Sequence, residues 1–141
     1  MQAAIHENKI YAPYNPYTID LFHRKGGRWN PDDKSWSFAP QVAQELFTEL
    51  FGSSEETVTV QVDYDAANEY NNLWHIGGYV LAQRRFRDAR VNLGDDVWLL
   101  RGHFPGSGGS MKNPRVNAST DVVFQLEVRK DFAIAHGLYS E

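Results

Sequence analysis

Residues 26–38 read Gly-Gly-Arg-Trp-Asn-Pro-Asp-Asp-Lys-Ser-Trp-Ser-Phe, and the first half of the chain is organised around them. Within this stretch, Asn-Pro-Asp-Asp at 30–33 favours a tight turn, because proline presets φ and the Asn and Asp side chains bond to nearby backbone. Aromatic residues lie on both sides of the turn, with Trp29 before it and Trp36 and Phe38 after it. The pattern predicts a short β-hairpin from which these aromatic side chains project.

A helix is predicted on each side of this hairpin. The first covers residues 16–25, with Asn15 as N-cap, Pro16 at the first helical position and Gly26 as its stop. The second covers residues 39–51, where apolar residues recur three and four positions apart and a glycine follows.

Two strands complete the first half, one at residues 9–12 and one at residues 57–64. The second of these alternates polar and apolar residues, which is the pattern of a half-buried strand. Residues 1–64 therefore predict a β-α-β-β-α-β unit, which is an α+β arrangement in two layers. The polar and small residues 65–72 form the predicted boundary of this unit.

Residues 65–141 predict a second, β-rich unit. Residues 73–86 are predicted as one long or broken strand, and further strands are predicted at residues 91–93, 97–101 and 122–128. Gly77-Gly78 is expected to bend or bulge the first of them, and residues 131–137 to form a closing helical turn with Asp131 as its cap. Short strands with little helix indicate a small barrel or a curled antiparallel sheet, which either stands alone or shares one core with the first unit.

Composition excludes several classes of protein. The chain has 141 residues, a net charge of −4 and no cysteine. Disulfides, thiolate zinc sites and cysteine nucleophiles are therefore excluded, and a cytoplasmic protein is expected. The sequence shows no signal-peptide pattern, and no apolar run reaches the ~20 residues of a membrane span, so no membrane partner is expected. The negative charge also disfavours a protein that coats nucleic acid by bulk electrostatics.

Basic residues nevertheless concentrate in one segment of the second half. Residues 84–115 hold seven basic side chains against the three acidic ones Asp88, Asp95 and Asp96. The basic ones are Arg84, Arg85, Arg87, Arg90, Arg101, Lys112 and Arg115. The segment predicts either a local positive surface or a solvated face of mixed ion pairs, and both interpretations stay open here.

A loop at residues 102–119 contains a second candidate site. Ser107, Gly108, Gly109 and Ser110 place four small residues in a row, with Lys112 and Arg115 just beyond them. Successive backbone amides of this kind can form an anion-holding nest, and the missing side chains would let a phosphate approach the main chain. The alternative is a long flexible connection between two strands.

The hairpin aromatics also allow two interpretations. Large aromatics are needed to fill the core of a unit this small, and Trp36 and Phe38 are expected to serve that role because they lie two positions apart on one strand face. Trp29 is as well suited to the surface, where an unpaired base stacked on it is typically worth ~1–3 kcal/mol. Arg24, Lys25, Arg28 and Lys34 lie close by in the sequence and can meet phosphates.

Catalysis has little support in the sequence. The five histidines are scattered without metal-ligand spacing, and a Ser107–His103 pair lacks the surroundings of a nucleophile elbow. Asp63, Asp65, Asp95 and Asp96 can be imagined around Mg²⁺, but strand ends collect aspartates for structural reasons. A non-catalytic protein with no metal site and no cofactor is therefore the expectation.

Residues 8–62 resemble a known domain. The matching residues are Tyr17 to Phe22, then Gly27-Arg28-Trp29-Asn30-Pro31, Lys34, Trp36 and Phe38, followed by the amphipathic helix. They are similar to the HARP (HepA-related protein) domain and to small phage and bacterial domains with the pattern G-x-R-W-[DN]-P-x-x-K-x-W. HARP domains accompany a helicase-like motor and help it engage forked or single-stranded DNA, so the resemblance implies a DNA-engaging role. The chain itself lacks the phosphate-binding pattern G-x-x-x-x-G-K-[ST] that a motor of this kind needs.

Two functions follow as hypotheses. The first is a non-catalytic nucleic-acid-binding accessory protein of a mobile element, which contacts single-stranded or forked DNA. Its predicted contacts are Arg28, Trp29, Lys34, Arg84, Arg85, Arg87, Arg90, Ser107, Gly108, Gly109, Ser110, Lys112 and Arg115. The second is a protein-binding inhibitor encoded by a phage or plasmid, such as an anti-CRISPR or other anti-defence protein, which docks on a host protein complex or mimics DNA to it.

Overall fold

The structure, a computed structural model, describes residues 2–141 and confirms the α+β class with a β-rich second half. In chain order the elements are β1 (Ala4–His6), β2 (Lys9–Tyr11), α1 (Pro16–Arg24), β3 (Arg28–Asn30), β4 (Ser35–Ser37), α2 (Pro40–Phe51), β5 (Thr57–Asp63), β6 (Asn68–Tyr70), β7 (Leu73–Ile76), β8 (Tyr79–Gln83), β9 (Asn92–Leu93), β10 (Trp98–Arg101), β11 (Val123–Arg129) and α3 (Lys130–Ala135).

The first sheet contains the predicted hairpin. Its order is β1-β2-β4-β3, with antiparallel pairing throughout. Trp29 lies opposite Trp36, so the turn between them is the one that the sequence indicates. Strand β1 was not predicted, because its three residues carry no alternating pattern of their own.

Capping residues set the start of α1 and the end of α2. The Asn15 side chain accepts hydrogen bonds from the amides of Tyr17 and Thr18, which satisfies donors that the first turn leaves free. Helix α2 ends at Gly52, whose φ of 86° lies in the left-handed region that glycine tolerates. The predicted helices are confirmed to within one or two residues.

The second sheet crosses the predicted boundary between the two halves. Its order is β10-β11-β5, and β5 pairs with β11 along its whole length, from Thr57 opposite Arg129 to Asp63 opposite Val123. The last strand of the predicted β-α-β-β-α-β unit therefore belongs to a sheet of the second half. The apolar face of β5 packs into the hydrophobic cluster of that half.

The third sheet, of order β6-β7-β8-β9, corrects two predictions. Residues 73–86 are not one long strand, because the chain reverses at Gly77-Gly78 and β7 pairs with β8 as a hairpin. A side chain at Gly78 would come within 2.4 Å of the Phe51 ring, so only glycine allows this close approach. Residues 65–72, the predicted boundary, contain the short strand β6, which the sequence did not indicate.

Tyr79 joins the two halves of the molecule. Its side chain packs against both hydrophobic clusters, one beneath the first sheet and one between the second and third sheets. The phenol donates a hydrogen bond of 2.8 Å to the carbonyl of Phe51, and the amide of Gly78 donates one to Leu50. The strand that begins at Tyr79 is thereby held against the end of α2.

The sequence predicts Asp131 as the cap of α3, but Asp131 does not occupy the cap position. The cap position belongs to Arg129, whose side chain makes no capping bond. The Asp131 carboxylate instead accepts hydrogen bonds from the amides of Ser53 and Ser54, at 2.7 and 3.1 Å, and from both hydroxyls. Burial alone raises the pKa of this carboxyl, but those four bonds outweigh it and hold the pKa well below its ordinary value.

Asp131→Asn is expected to lower the free energy of unfolding by about 1–2 kcal/mol at neutral pH, because an amide keeps only one acceptor oxygen. A carboxyl with a lowered pKa contributes stability above its ordinary pKa of 3.8 and loses that stability as the pH falls below it. Urea unfolding at pH 7 and at about pH 3 checks this, because the gap between wild type and variant should narrow in acid. Asp65→Asn, at an exposed position, is the control, and a gap independent of pH would contradict the prediction.

Candidate nucleic-acid interface

A row of aromatic rings in tilted and edge-on contact runs from the core of the first half to its surface. Phe38 packs edge-on against Phe22 at 5.3 Å between ring centroids, Phe22 lies 5.4 Å from Trp36, and Trp36 lies 5.3 Å from Trp29. Trp36 and Phe38 are buried, as predicted, while 46% of Trp29 is exposed. Trp29 is therefore a surface indole whose inner side is held by a buried one.

Hydrogen bonds inside the hairpin fix the backbone that carries this indole. The Asn30 amide donates to the hydroxyls of Ser35 and Ser37, at 3.1 and 2.7 Å. The Asp33 carboxylate accepts from Ser35 and forms an ion pair with Lys9 at 2.8 Å. The turn is thus braced both across the hairpin and to the neighbouring strand β2.

Four exposed cationic side chains lie at the end of α1 and in the hairpin. Arg24 and Lys25 end α1, Arg28 precedes Trp29 on β3, and Lys34 follows the turn, all of them exposed. Within residues 2–141, no carboxylate lies in ion-pair distance of any of these four. Trp29 and these four cations are together called the Trp29 surface below; Arg28 adjoins Trp29 on β3, so the two side chains project from opposite faces of the hairpin.

Acidic residues at the turn oppose this charge only in part. The hydrogen bond and charge of Lys9 lower the pKa of Asp33, and Asp33 in turn raises the pKa of Lys9, so the two charges compensate each other. Asp32 is the exposed carboxylate that remains in the turn. The Trp29 surface therefore keeps an excess of positive charge.

Arg84 is a correction to the predicted contacts. Its side chain is fully buried, and its guanidinium donates to four backbone carbonyls at 2.6–3.0 Å. The acceptors are Arg115, Ala89, Pro105 and Val116. Because the guanidinium is fully buried, a phosphate cannot reach its N–H groups. Arg84 therefore has a structural role, since its hydrogen bonds connect two loops.

The Gly/Ser loop is arranged around the Arg84 guanidinium. The amide of Gly108 donates to the Arg87 carbonyl at 2.9 Å, and that of Ser110 donates to Asn113 at 3.0 Å. A side chain at Gly108 would meet the Arg115 carbonyl at 2.2 Å, so glycine is needed for this packing. Two of the four amides of the expected nest are already bonded, and the loop forms a small hairpin with Lys112 exposed at its tip.

The remaining predicted cations lie in different surroundings. Arg87 pairs with Asp88 at 3.1 Å, and Arg115 lies 3.8 Å from Glu69 and donates to the Asn71 carbonyl. Arg90 lines a shallow depression with Asp88 and Phe104. Ser107 and Gly109 are exposed in the loop. The segment 84–115 therefore contains mixed ion pairs and a buried arginine, together with single exposed cations.

A cleft of about 780 Å³ is lined by strands of the second and third sheets. Arg85 and Arg129 line it together with Asp95, Asp96 and Glu127. Its walls thus carry acidic as well as basic groups, which disfavours a polyanion as its occupant. The Trp29 surface is for this reason the better candidate for nucleic acid.

Two further residues support the Trp29 surface and were not predicted from the sequence. His23 packs edge-on against Trp36 at 5.1 Å and so helps to hold the indole row. Lys9 neutralises Asp33 from 24 positions away in the chain. Neither carries a local signal, because both contacts depend on how α1 and β2 pack against the hairpin.

Residues 2–141 contain no helix that is long and apolar enough to cross a membrane. No protein-family model, curated protein or solved structure matches this chain. The resemblance of residues 8–62 to the HARP domain therefore stays a prediction.

Proposed function

We propose that the protein binds single-stranded nucleic acid through the Trp29 surface, without catalysing a reaction on it. The observation that carries the proposal is a half-exposed indole backed by the buried Trp36, with four exposed cations in α1, the residue after it and the hairpin that have no carboxylate in ion-pair distance within residues 2–141. Arg28, Trp29 and Lys34 are also residues on which the HARP resemblance rests, and a HARP-like role at a fork or single strand agrees with this chemistry.

The binding mode follows from the physical properties of these groups. An unpaired base presents a flat face that can stack on the outer side of Trp29, whereas duplex bases are covered by their neighbours. Arg24, Lys25 and Lys34 meet the phosphates next to the stacked base, and Arg28, on the other face of β3, meets the nucleic-acid backbone where it passes the edge of the hairpin. Because Trp36 and the hairpin hydrogen bonds already hold the indole, little conformational entropy is lost on binding.

Trp29→Ala is expected to weaken binding of a labelled oligothymidylate by about 5- to 150-fold in Kd, the equivalent of one lost base stack of ~1–3 kcal/mol. Fluorescence anisotropy at low salt measures this, and Trp29→Phe should retain part of the affinity because a phenyl ring still stacks. Phe86→Ala, which removes an aromatic ring that is 58% exposed elsewhere, is the matched control and should leave Kd unchanged.

The salt dependence tests the cations separately. Arg28→Gln combined with Lys34→Asn should reduce the slope of log K against log salt by about 1.4, because each phosphate contact on a single strand contributes about 0.7. Asparagine suits position 34, where φ is 56°. Arg87→Gln combined with Arg115→Gln is the control, since both arginines lie near carboxylates. No binding at low salt would overturn the proposal in favour of docking on a protein partner, and a larger loss in the control pair would place the contact at residues 84–115 instead of the Trp29 surface.

A further inference from the structure

The cleft of about 780 Å³ on the second and third sheets has the size and the walls of a small-molecule site. Three exposed side chains with apolar faces line it, namely Tyr14, Leu93 and Trp98, and Trp98 is 57% exposed. Small-molecule sites are usually clefts of about 300–1,000 Å³ that combine aromatic walls with a few polar groups. This cleft is called the Trp98 cleft below.

Two side-chain amides lie next to each other in the Trp98 cleft. Gln83 of β8 is the register partner of Asn92 of β9, and the side chains of directly opposite residues share one face of a sheet. Within residues 2–141, neither of these side-chain amides forms a hydrogen bond. Because an amide both donates and accepts, this amide pair offers hydrogen bonds of both kinds to a ligand.

Charged groups of both signs complete the lining. The Arg85 guanidinium can only donate hydrogen bonds and the Asp96 carboxylate can only accept them. Neither of the two has an ion-pair partner within the described residues. Glu127 and Arg129 line the cleft as well, but both side chains already form hydrogen bonds inside the protein. A ligand with a net charge of either sign therefore meets a like charge in the cleft.

A sugar matches this set of groups. Its hydroxyls can donate to a carboxylate or an amide oxygen and accept from a guanidinium or an amide N–H, and it carries no charge. The C–H groups on one face of a pyranose ring form an apolar patch that packs against an aromatic ring. An amino acid also matches both signs of charge, but its two charged groups must lose water on binding, a cost that a sugar avoids.

We propose that the Trp98 cleft binds a saccharide of one or two sugar units. The sugar ring packs on the Trp98 indole, and its hydroxyls form hydrogen bonds with the amide pair, Arg85 and Asp96. Binding involves no chemical step, and a Kd of about 1 mM is expected for a small ligand in a site this open. The Trp98 cleft shares no residue with the Trp29 surface, so the two proposals are independent.

Titration of the full-length chain with defined sugars, followed by proton–nitrogen correlation NMR, tests the proposal. The panel is methyl glucoside, methyl galactoside, N-acetylglucosamine, maltose, cellobiose and chitobiose, each added to about 20 mM. At least one sugar should shift the side-chain amide signals of Gln83 and Asn92 together with the indole N–H signal of Trp98. The indole signals of Trp29 and Trp36, on the first sheet, should stay in place. Phenylalanine and thymidine form the competing arms, as a zwitterion and as a nucleoside.

Variants separate contact with the sugar from loss of the fold. Trp98→Ala should weaken binding of the best sugar by about tenfold or more with a nearly unchanged unfolding midpoint in urea, and Trp98→Phe should retain part of the affinity. Gln83→Ala should weaken it by about 2- to 12-fold, the equivalent of one hydrogen bond. Phe86→Ala, at a ring that is 58% exposed outside the cleft, is the matched control and should leave Kd unchanged.

Three results would each refute the saccharide site. The first is that no sugar of the panel shifts the three signals at about 20 mM. The second is a folded Trp98→Ala variant that binds the best sugar as wild type does. The third is tighter binding of phenylalanine or thymidine than of every sugar. Trp29→Ala should leave sugar binding intact, and Trp98→Ala should leave oligothymidylate binding intact, so failure of one proposal is distinguished from failure of the other.

Discussion

Arg84→Met is expected to lower the free energy of unfolding by about 3–5 kcal/mol, the largest effect of any substitution of a charged residue in this chain. Methionine fills a similar volume but donates no hydrogen bond, so four buried carbonyls lose their donor together. Each unsatisfied carbonyl costs about 1–3 kcal/mol when water cannot reach it, and partial relaxation of the loops offsets part of the sum.

Urea unfolding followed by far-UV circular dichroism measures the effect. Arg85→Met is the matched control, because the neighbouring arginine is exposed and its replacement should change stability by less than about 0.5 kcal/mol. Arg84→Lys should fall between the two, since an ammonium reaches fewer of the four carbonyls. Hydrogen exchange should speed up at the amides of Gly108 and Arg115. Equal stability of the two methionine variants would show that Arg84 does not hold the loops.

Trp36→Ala is expected to cost about 3–5 kcal/mol, as for other buried large aromatics. Trp36 is 9% exposed and contacts Phe22, His23 and Trp29, so its removal leaves a cavity beneath the hairpin. The same substitution takes away the support behind Trp29, and it should therefore weaken both folding and binding of single-stranded nucleic acid.

The two tryptophans of the hairpin provide a matched pair for this test. Trp29→Ala should cost only about 1 kcal/mol in stability, because about half of that indole is already in water. Comparing both variants by urea unfolding and by oligothymidylate anisotropy separates the supporting indole from the contacting one. A Trp36→Ala variant as stable as wild type would mean that the indole row is not part of the core.

Local chemistry explains which parts of the fold could be predicted. The N-cap at Asn15, the stops at Gly26 and Gly52 and the turn at 30–33 act over a few residues, so helices α1 and α2 and the hairpin follow directly from sequence. Burial of Trp36 and Phe38 follows from the size of the unit, which needs large apolar side chains to fill its core.

Other features depend on partners far away in the chain. Strand β5 alternates in the way any half-buried strand does, and nothing in its residues shows that β11, about 66 positions later, is its neighbour. Gly77-Gly78 is compatible with a bulge, a bend or a turn, and the close approach of Phe51 selects the turn. Asp131 suits a helix cap, but the amides of Ser53 and Ser54 compete for it more effectively.

Part of the candidate site could be predicted from the sequence, and part of it could not. Arg28, Trp29 and Lys34 lie within one hairpin, so the sequence already places them together and indicates their chemistry. Arg84 lies in a basic segment of the sequence, where an arginine is expected at the surface. It is buried because four carbonyls on two separate loops accept its hydrogen bonds.

Helices α1 and α2, the β3–β4 hairpin and strand β5 follow from the amino-acid sequence alone, because caps, turns and alternation act between near neighbours along the chain. Only the tertiary structure decided which strands share a sheet, which arginine is buried and which indole faces solvent. Burial and hydrogen bonding join segments that are distant in the chain. A residue is therefore buried or bonded according to which segment the fold places next to it.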